Sequence, residues 1–176
     1  MPRTVPVPAT EAPGLYNTAA LFNAQVRDLN SFALGVPVFR GYQSSAQSCA
    51  TGTWVSIAID TETLDSDGGH STVTNNSRYT PTVAGTYLAI GTVAFAASGS
   101  SQRATRLTMN GSPSVGAAEA SAAGGSWWCG SGIELFACNG TTDYIELQGR
   151  QDSGGTISTY VGTEFNCALK IFWISR

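Results

Sequence analysis

The sequence is poor in charge. Of its 176 residues only 12% are Asp, Glu, Lys or Arg, about half the usual share for a globular domain. It has one lysine, Lys170, and one histidine, His70. The net charge is −3 with no basic cluster. That excludes nucleic-acid binding, because displacing phosphate counterions takes clustered cations. A lone histidine excludes any site that draws two histidine ligands from one chain. No run of about 18 apolar residues occurs, so no segment reads as a membrane span. No Cys-x-x-Cys pair is present, which argues against a zinc or redox motif. The first residues carry no apolar run after a basic start and do not read as a signal peptide. Long shaft repeats are also missing.

What is present is apolar, small and hydroxylated. The apolar share is 42%, the aromatic share 10%, with 20 glycines and 39 serines and threonines. Wholesale disorder is excluded. Pro2, Pro6, Pro8 and Pro13 punctuate residues 1–14 and favour an extended arm, since proline fixes φ and drives its predecessor out of the helical region. Such an arm either frays or docks on a neighbour.

One segment, 15–35, reads as helix. Leu15, Ala19, Phe22, Val26, Leu29 and Ala33 are spaced 4, 3, 4, 3 and 4 apart, a heptad seam. Asn17 or Thr18 can cap its first turn; Gly35 and Pro37 stop it. A helix of about 16 residues is marginal alone in water, so the seam needs a partner, either its own β-domain or copies of itself, and self-association is the favoured one.

From Val36 the period changes to two. Segments rich in β-branched and aromatic residues alternate with Gly, Ser, Asp and Asn punctuation. They are 36–43, 53–60, 70–79, 85–97, 102–109, 126–137, 144–150, 156–161 and 164–175. No helical crossover separates them, so residues 36–176 read as an all-β antiparallel sandwich. In the last segment Phe165, Cys167, Leu169, Ile171 and Trp173 share one face, while Phe172 and Ile174 lie on the other. A strand apolar on both faces is covered on both. One cover is the second sheet, and a neighbouring subunit supplies the other.

The motifs resemble two families. Trp54–Asp60, Ser77-Arg78-Tyr79-Thr80-Pro81, Ala84-Gly85-Thr86-Tyr87, Met109-Asn110-Gly111 and Asp143–Leu147, in that order, resemble the tumour-necrosis-factor/complement-type jelly roll. Gly140 stands three residues before Asp143, a departure that implies a longer turn. The resemblance implies a homotrimer. Thr18–Asp28, reading TAALFNAQVRD, is similar to the start of virion proteins of phages infecting actinobacteria. Together they imply a phage protein assembled in the bacterial cytoplasm and carried on the virion surface. It would be a capsid decoration or short head fibre, with residues 1–14 contacting other virion proteins such as the major capsid or tail proteins. The alternative is a tail-tip or tail-fibre component (a minor tail protein) serving host attachment by binding a receptor or glycan.

Candidate sites follow. Leu15, Phe22, Val26, Leu29, Phe172 and Ile174 are the expected trimer interface. Trp127 and Trp128, on a Gly-rich loop, together with Asp65, Asp67 and His70, are possible ligand contacts, since exposed aromatics stack on sugars or anchor interfaces. Asp65-x-Asp67-x-Gly69 begins like a calcium loop, but Asn76 replaces the closing Glu, so a solvated loop with no metal is expected. His70 can pair with Asp67 at the surface. No nucleophile has a base other than His70, and Gly130-Ser131-Gly132 lacks the nucleophile-elbow spacing. Glu134 and Glu146 could form a glycosidase dyad but read better as outward strand positions, so no enzyme and no cofactor is expected. Cys49, Cys129, Cys138 and Cys167 read as buried thiols. Cys49 with Cys167, or Cys129 with Cys138 across a short loop, remain possible disulfides.

Overall fold

A computed structural model describes residues 3–8, 12–14, 16, 18–122 and 124–176. The expected seam residue Leu15 and the alternative cap Asn17 lie outside the described residues. The helix is continuous but changes type: α1 (Ala19–Phe22), a π segment (Asn23–Arg27) and α2 (Asp28–Leu34). Thr18 caps it, its Oγ1 accepting from the Leu21 N–H at 3.2 Å. At the other end the Gly35 N–H donates to the Phe32 carbonyl at 3.1 Å.

Thirteen strands follow: β1 (Val38–Tyr42), β2 (Ser48–Cys49), β3 (Trp54–Ser56), β4 (Thr61–Asp65), β5 (Arg78–Tyr79), β6 (Gly85–Phe95), β7 (Ser101–Met109), β8 (Ser112–Pro113), β9 (Ala118–Ala122), β10 (Trp128–Cys138), β11 (Ile145–Gln151), β12 (Ile157–Ser158) and β13 (Ala168–Ser175). One sheet has the order β10-β6-β13-β1-β4; a second has β3-β11-β7-β8, with β5 on β11 and β9 on β7; β2 and β12 form a small pair. All the pairings between named strands are antiparallel. The architecture is the jelly-roll sandwich.

The sheets meet on alternating residues. Phe39, Tyr87, Ala89, Val93, Leu169 and Ile171 of the first sheet face Leu107, Ile145 and Leu147 of the second, all fully buried. Gly91 makes that closeness possible, because a Cβ there would strike the Leu147 side chain and come within 3.0 Å of Leu107. The β7–β8 hairpin turns on Asn110 and Gly111 at φ 53° and 77°, the left-handed pair that a tight hairpin needs. Between β10 and β11, the Asn139 Oδ1 accepts from the N–H groups of Thr141, Thr142 and Asp143, which forms the longer turn that Gly140 implied.

Several strand readings are corrected. Only Arg78–Tyr79 of 70–79 is a strand, because the Asp65 carboxylate gathers the Gly68, Gly69 and His70 N–H groups and folds that stretch into a loop. Thr61–Asp65, read as part of an acidic loop, is a strand on β1. Ala118–Ala122, inside a stretch read as turn, pairs with β7. Of 53–60 only Trp54–Ser56 ladders, yet Ile57 and Ile59 stay fully buried, their N–H groups held by Leu147 and Asn76 carbonyls.

Candidate functional site

The outer face of the five-stranded sheet is apolar. Registers place Leu135, Leu88, Phe172 and Val38 in one row across β10, β6, β13 and β1. The next row is Ile133, Ile90, Lys170, Arg40 and Leu64. Ile133 is 60% exposed, Leu135 57%, Ile174 53% and Phe172 37%. Contiguous apolar surface of this kind marks an interaction site. Phe172 and Ile174, the two sheet residues expected at an interface, are exposed on this side of the sheet. Sequence reasoning missed Leu88, Ile90, Ile133 and Leu135. Their signal was available: β6 and β10, like β13, carry apolar residues at both parities.

The helix keeps its seam open. Phe22 and Val26 are exposed and Leu29 is half-buried. What docks the helix is Phe32, off the seam, packed edge-on against Trp173 with ring centroids 4.9 Å apart. The described part of the arm lies near this junction: Arg3 pairs with Asp67, and Val5 and Pro6 share a groove with Asp28, Ser31 and Phe32. Val7 stays exposed.

The five expected ligand contacts do not come together. Asp65, Asp67 and His70 lie at the helix end of the sandwich. There Asp65 is opposite Phe39 and holds loop N–H groups, and Asp67 is taken by Arg3. Among the described residues no three His, Cys, Asp or Glu side chains gather to hold a metal. His70 is not a surface residue paired to Asp67. Its side chain is wholly buried beside Phe39, with Nδ1 2.7 Å from a Glu62 carboxylate oxygen and Nε2 3.1 Å from the Asn76 carbonyl. The β4 strand brings Glu62 there, which the loop reading could not foresee.

Trp127 and Trp128 lie at the opposite end, where Trp128 pairs with Phe95. Strand alternation separates them. Trp128 packs inward on Phe95, centroids 6.1 Å apart. Trp127 is 44% exposed. It contacts Phe165 at 4.1 Å and stacks with Tyr160 at 6.2 Å, the planes of that stack 18° apart. This aromatic trio is the surface feature that the Trp-Trp motif produces; Tyr160 was not singled out by the sequence, and Phe165, read there as inward on the last strand, is corrected to a surface residue ahead of it, since the strand begins only at Ala168.

Other expected positions resolve plainly. Glu134 is on β10 opposite Ala89 and shares its inward side, a correction of the outward reading. Glu146, on the second sheet, is buried under Ser77 and Arg78, at 2.8 and 3.3 Å. The two are not a pair. All four cysteines are free thiols. Cys129 and Cys138 sit at opposite ends of one extended strand, opposite Ala94 and Gly85, so they cannot close a short loop. Burial pushes the Cys138 and Cys167 thiols up to about 12 and Cys49 to about 11. Among the described residues no helix is long and apolar enough to cross a membrane.

No family model and no curated protein matches the chain. Solved structures do. The globular domain of zebrafish complement 1qA protein is 12% identical over 80% of this chain and 98% of its own, with a TM-score of 0.53. Murine APRIL, at pH 5.0, is 11% identical over 78% of this chain and 98% of its own, with a TM-score of 0.56. These likenesses show the fold: a jelly roll of the tumour-necrosis-factor/complement type.

Proposed function

We propose that this chain is a non-enzymatic structural protein that assembles as a homotrimer and forms part of a phage particle surface, as a capsid decoration or short head fibre. The observation that supports it most is the apolar outer face of the five-stranded sheet, exposed in a chain with few charges to spare. The unpartnered seam of Phe22, Val26 and Leu29 adds a second apolar strip, and Val7 leaves the arm with apolar surface for a particle protein. A trimer is the assembly that the jelly-roll resemblance implies, and the Thr18–Asp28 segment supports the virion reading. Sedimentation equilibrium tests the assembly: a trimer at micromolar concentration is expected, and a stable monomer overturns it. Immunogold labelling of purified particles tests the location, with label expected on heads.

A second reading, a host-attachment module at the tail, is favoured by one observation, the trio of exposed Trp127 and Phe165 with half-buried Tyr160. Aromatic faces of this kind stack on sugar rings. Under that reading Trp127→Ala abolishes binding on a glycan array while Trp128→Ala lowers stability instead. Equal glycan binding by wild type and Trp127→Ala sinks it.

A further inference from the structure

Eight arginines and one lysine serve the whole chain, and most are answered. Arg3, Arg27 and Arg78 pair with Asp67, Asp28 and Glu146. Arg106 bonds Gln148 and lies over the Trp54 ring. Arg40 and Lys170 differ. Both are exposed, neither side chain has a hydrogen bond or ion pair among the described residues, and they stand directly opposite one another across β1 and β13. Like charges at opposed cross-strand positions destabilise a sheet. Nothing in the fold of a single chain calls for this pair.

The pair lies within the second row of the outer face, between Ile90 and Leu64, on the floor of a cleft of about 590 Å³, within the roughly 300–1,000 Å³ range of small-molecule sites. Its wall is the hairpin 161–166. That wall is built: Val161 bridges Asn166, and the Asn166 Oδ1 accepts from the Gly162 N–H at 2.6 Å. With its oxygen so engaged, the amide keeps its NH2 to donate. Tyr42 and Thr163 add hydroxyls with no partner among the described residues, and Glu164 is the one carboxylate in the lining. Two cations, one anion and a ring of donors leave the cleft net positive in a protein of pI about 5.0.

We propose that this cleft binds an acidic saccharide, its carboxylate held by Arg40 and Lys170 and its hydroxyls by Asn166, Tyr42, Thr163 and Glu164. The volume exceeds what a simple anion needs, and the mixed hydroxyl, amide and carboxylate lining is the kind that fixes sugar hydroxyls. Tyr160 and Phe165, which contact Trp127, flank the same hairpin, so a chain of several sugars has an aromatic surface within its reach. This inference does not rest on the trimer but requires that assembly leave Arg40 and Lys170 uncovered, and it places the ligand on residues other than the Trp127 trio.

The test is isothermal titration calorimetry of the full chain at low salt. The probes are an oligogalacturonate, a neutral galactose oligomer and sodium phosphate. Oligogalacturonate is expected to bind at least tenfold more tightly than the neutral oligomer, and more weakly as salt rises. Arg40→Gln and Lys170→Gln are each expected to weaken it roughly tenfold or more, the loss of one charge-assisted hydrogen bond. Both residues are exposed, so the variants keep the fold, which circular dichroism confirms. Phosphate binding as tight as oligogalacturonate overturns the saccharide. Absence of oligogalacturonate binding overturns the site. If that absence comes with loss of the trimer in Lys170→Gln, the pair belongs to a contact with a neighbouring chain's acid. A monomeric wild type that still binds oligogalacturonate refutes the trimer and leaves this proposal standing.

Discussion

Replacing Leu135 by aspartate puts one charge into the apolar outer face, on its edge strand β10. Fully burying a leucine is worth roughly 1.5–3 kcal/mol. Leu135 is 57% exposed in the single chain, so covering it recovers about 1–1.5 kcal/mol per copy. An aspartate forfeits that and adds the cost of an unpaired carboxylate taken from water, at least ~2 kcal/mol after relaxation. The sum is on the order of 3 kcal/mol per copy and about 9 kcal/mol per trimer, or roughly six decades in the association constant. Leu135→Asp is therefore monomeric by sedimentation at concentrations where the wild type is trimeric. Its fold should survive, because the position faces solvent within one chain and its neighbours Glu134 and Phe136 keep their places. A Leu135→Asp protein that remains trimeric refutes the assignment of this face, and one that unfolds in far-ultraviolet dichroism refutes the claim that the face is free in the monomer.

Three further outcomes are expected. Gly91→Val forces a side chain into Leu147 and Leu107, and an overpacked core costs about 2 kcal/mol or more, so the melting temperature falls by roughly 4–8 °C; an unchanged Tm would show that the sheets can separate at no cost. Phe32→Ala removes the contact with Trp173, and residues 19–34 should then exchange their amides near the free-peptide rate while β6 stays protected, since a helix this short is marginal without its dock. The buried thiols bear on pH. In the unfolded chain they ionise near 9, and in the fold burial holds Cys49 near 11 and Cys138 and Cys167 near 12. The folded state thus binds more protons above pH 9, and stability should be flat for these groups below pH 9 and fall between pH 9 and 12. Iodoacetamide at pH 8 should modify only half-exposed Cys129 quickly, and four equal rates would contradict the burial.

The sandwich was legible because β-branched residues at period two need a sheet, and turn residues separate the runs. The alternation of β13 was legible from Cys167 on: Leu169 and Ile171 are core, and Phe172 and Ile174 are surface, but the strand begins at Ala168 and leaves Phe165 outside it. What escaped was set by contacts distant in sequence. His70 is buried because Glu62 and the Asn76 carbonyl meet both its nitrogens, and no local pattern announces that meeting. The helix docks through Phe32 because Trp173, some 140 residues later, lies beside it, while the heptad seam that announced the helix faces away. The aromatic site was half visible. Trp127-Trp128 flagged the place, but strand alternation decided which ring emerged, Phe165 read as a core residue of the last strand, and Tyr160 carried no signal. The Arg40–Lys170 pair needed the β1–β13 register, which a sequence 130 residues apart does not reveal.

The arm, the helix and the last residue share one region. Arg3, Thr4 and Val5 line a cavity together with Arg176, and Phe32 lies on Trp173. Both ends of the described chain thus emerge at one pole of the molecule, while Trp127 and the 161–166 hairpin occupy the other. The body is polar in the directional sense: whatever engages the arm, the helix and the Phe32–Trp173 contact stands at one pole and leaves Trp127 and the 161–166 hairpin unobstructed at the other.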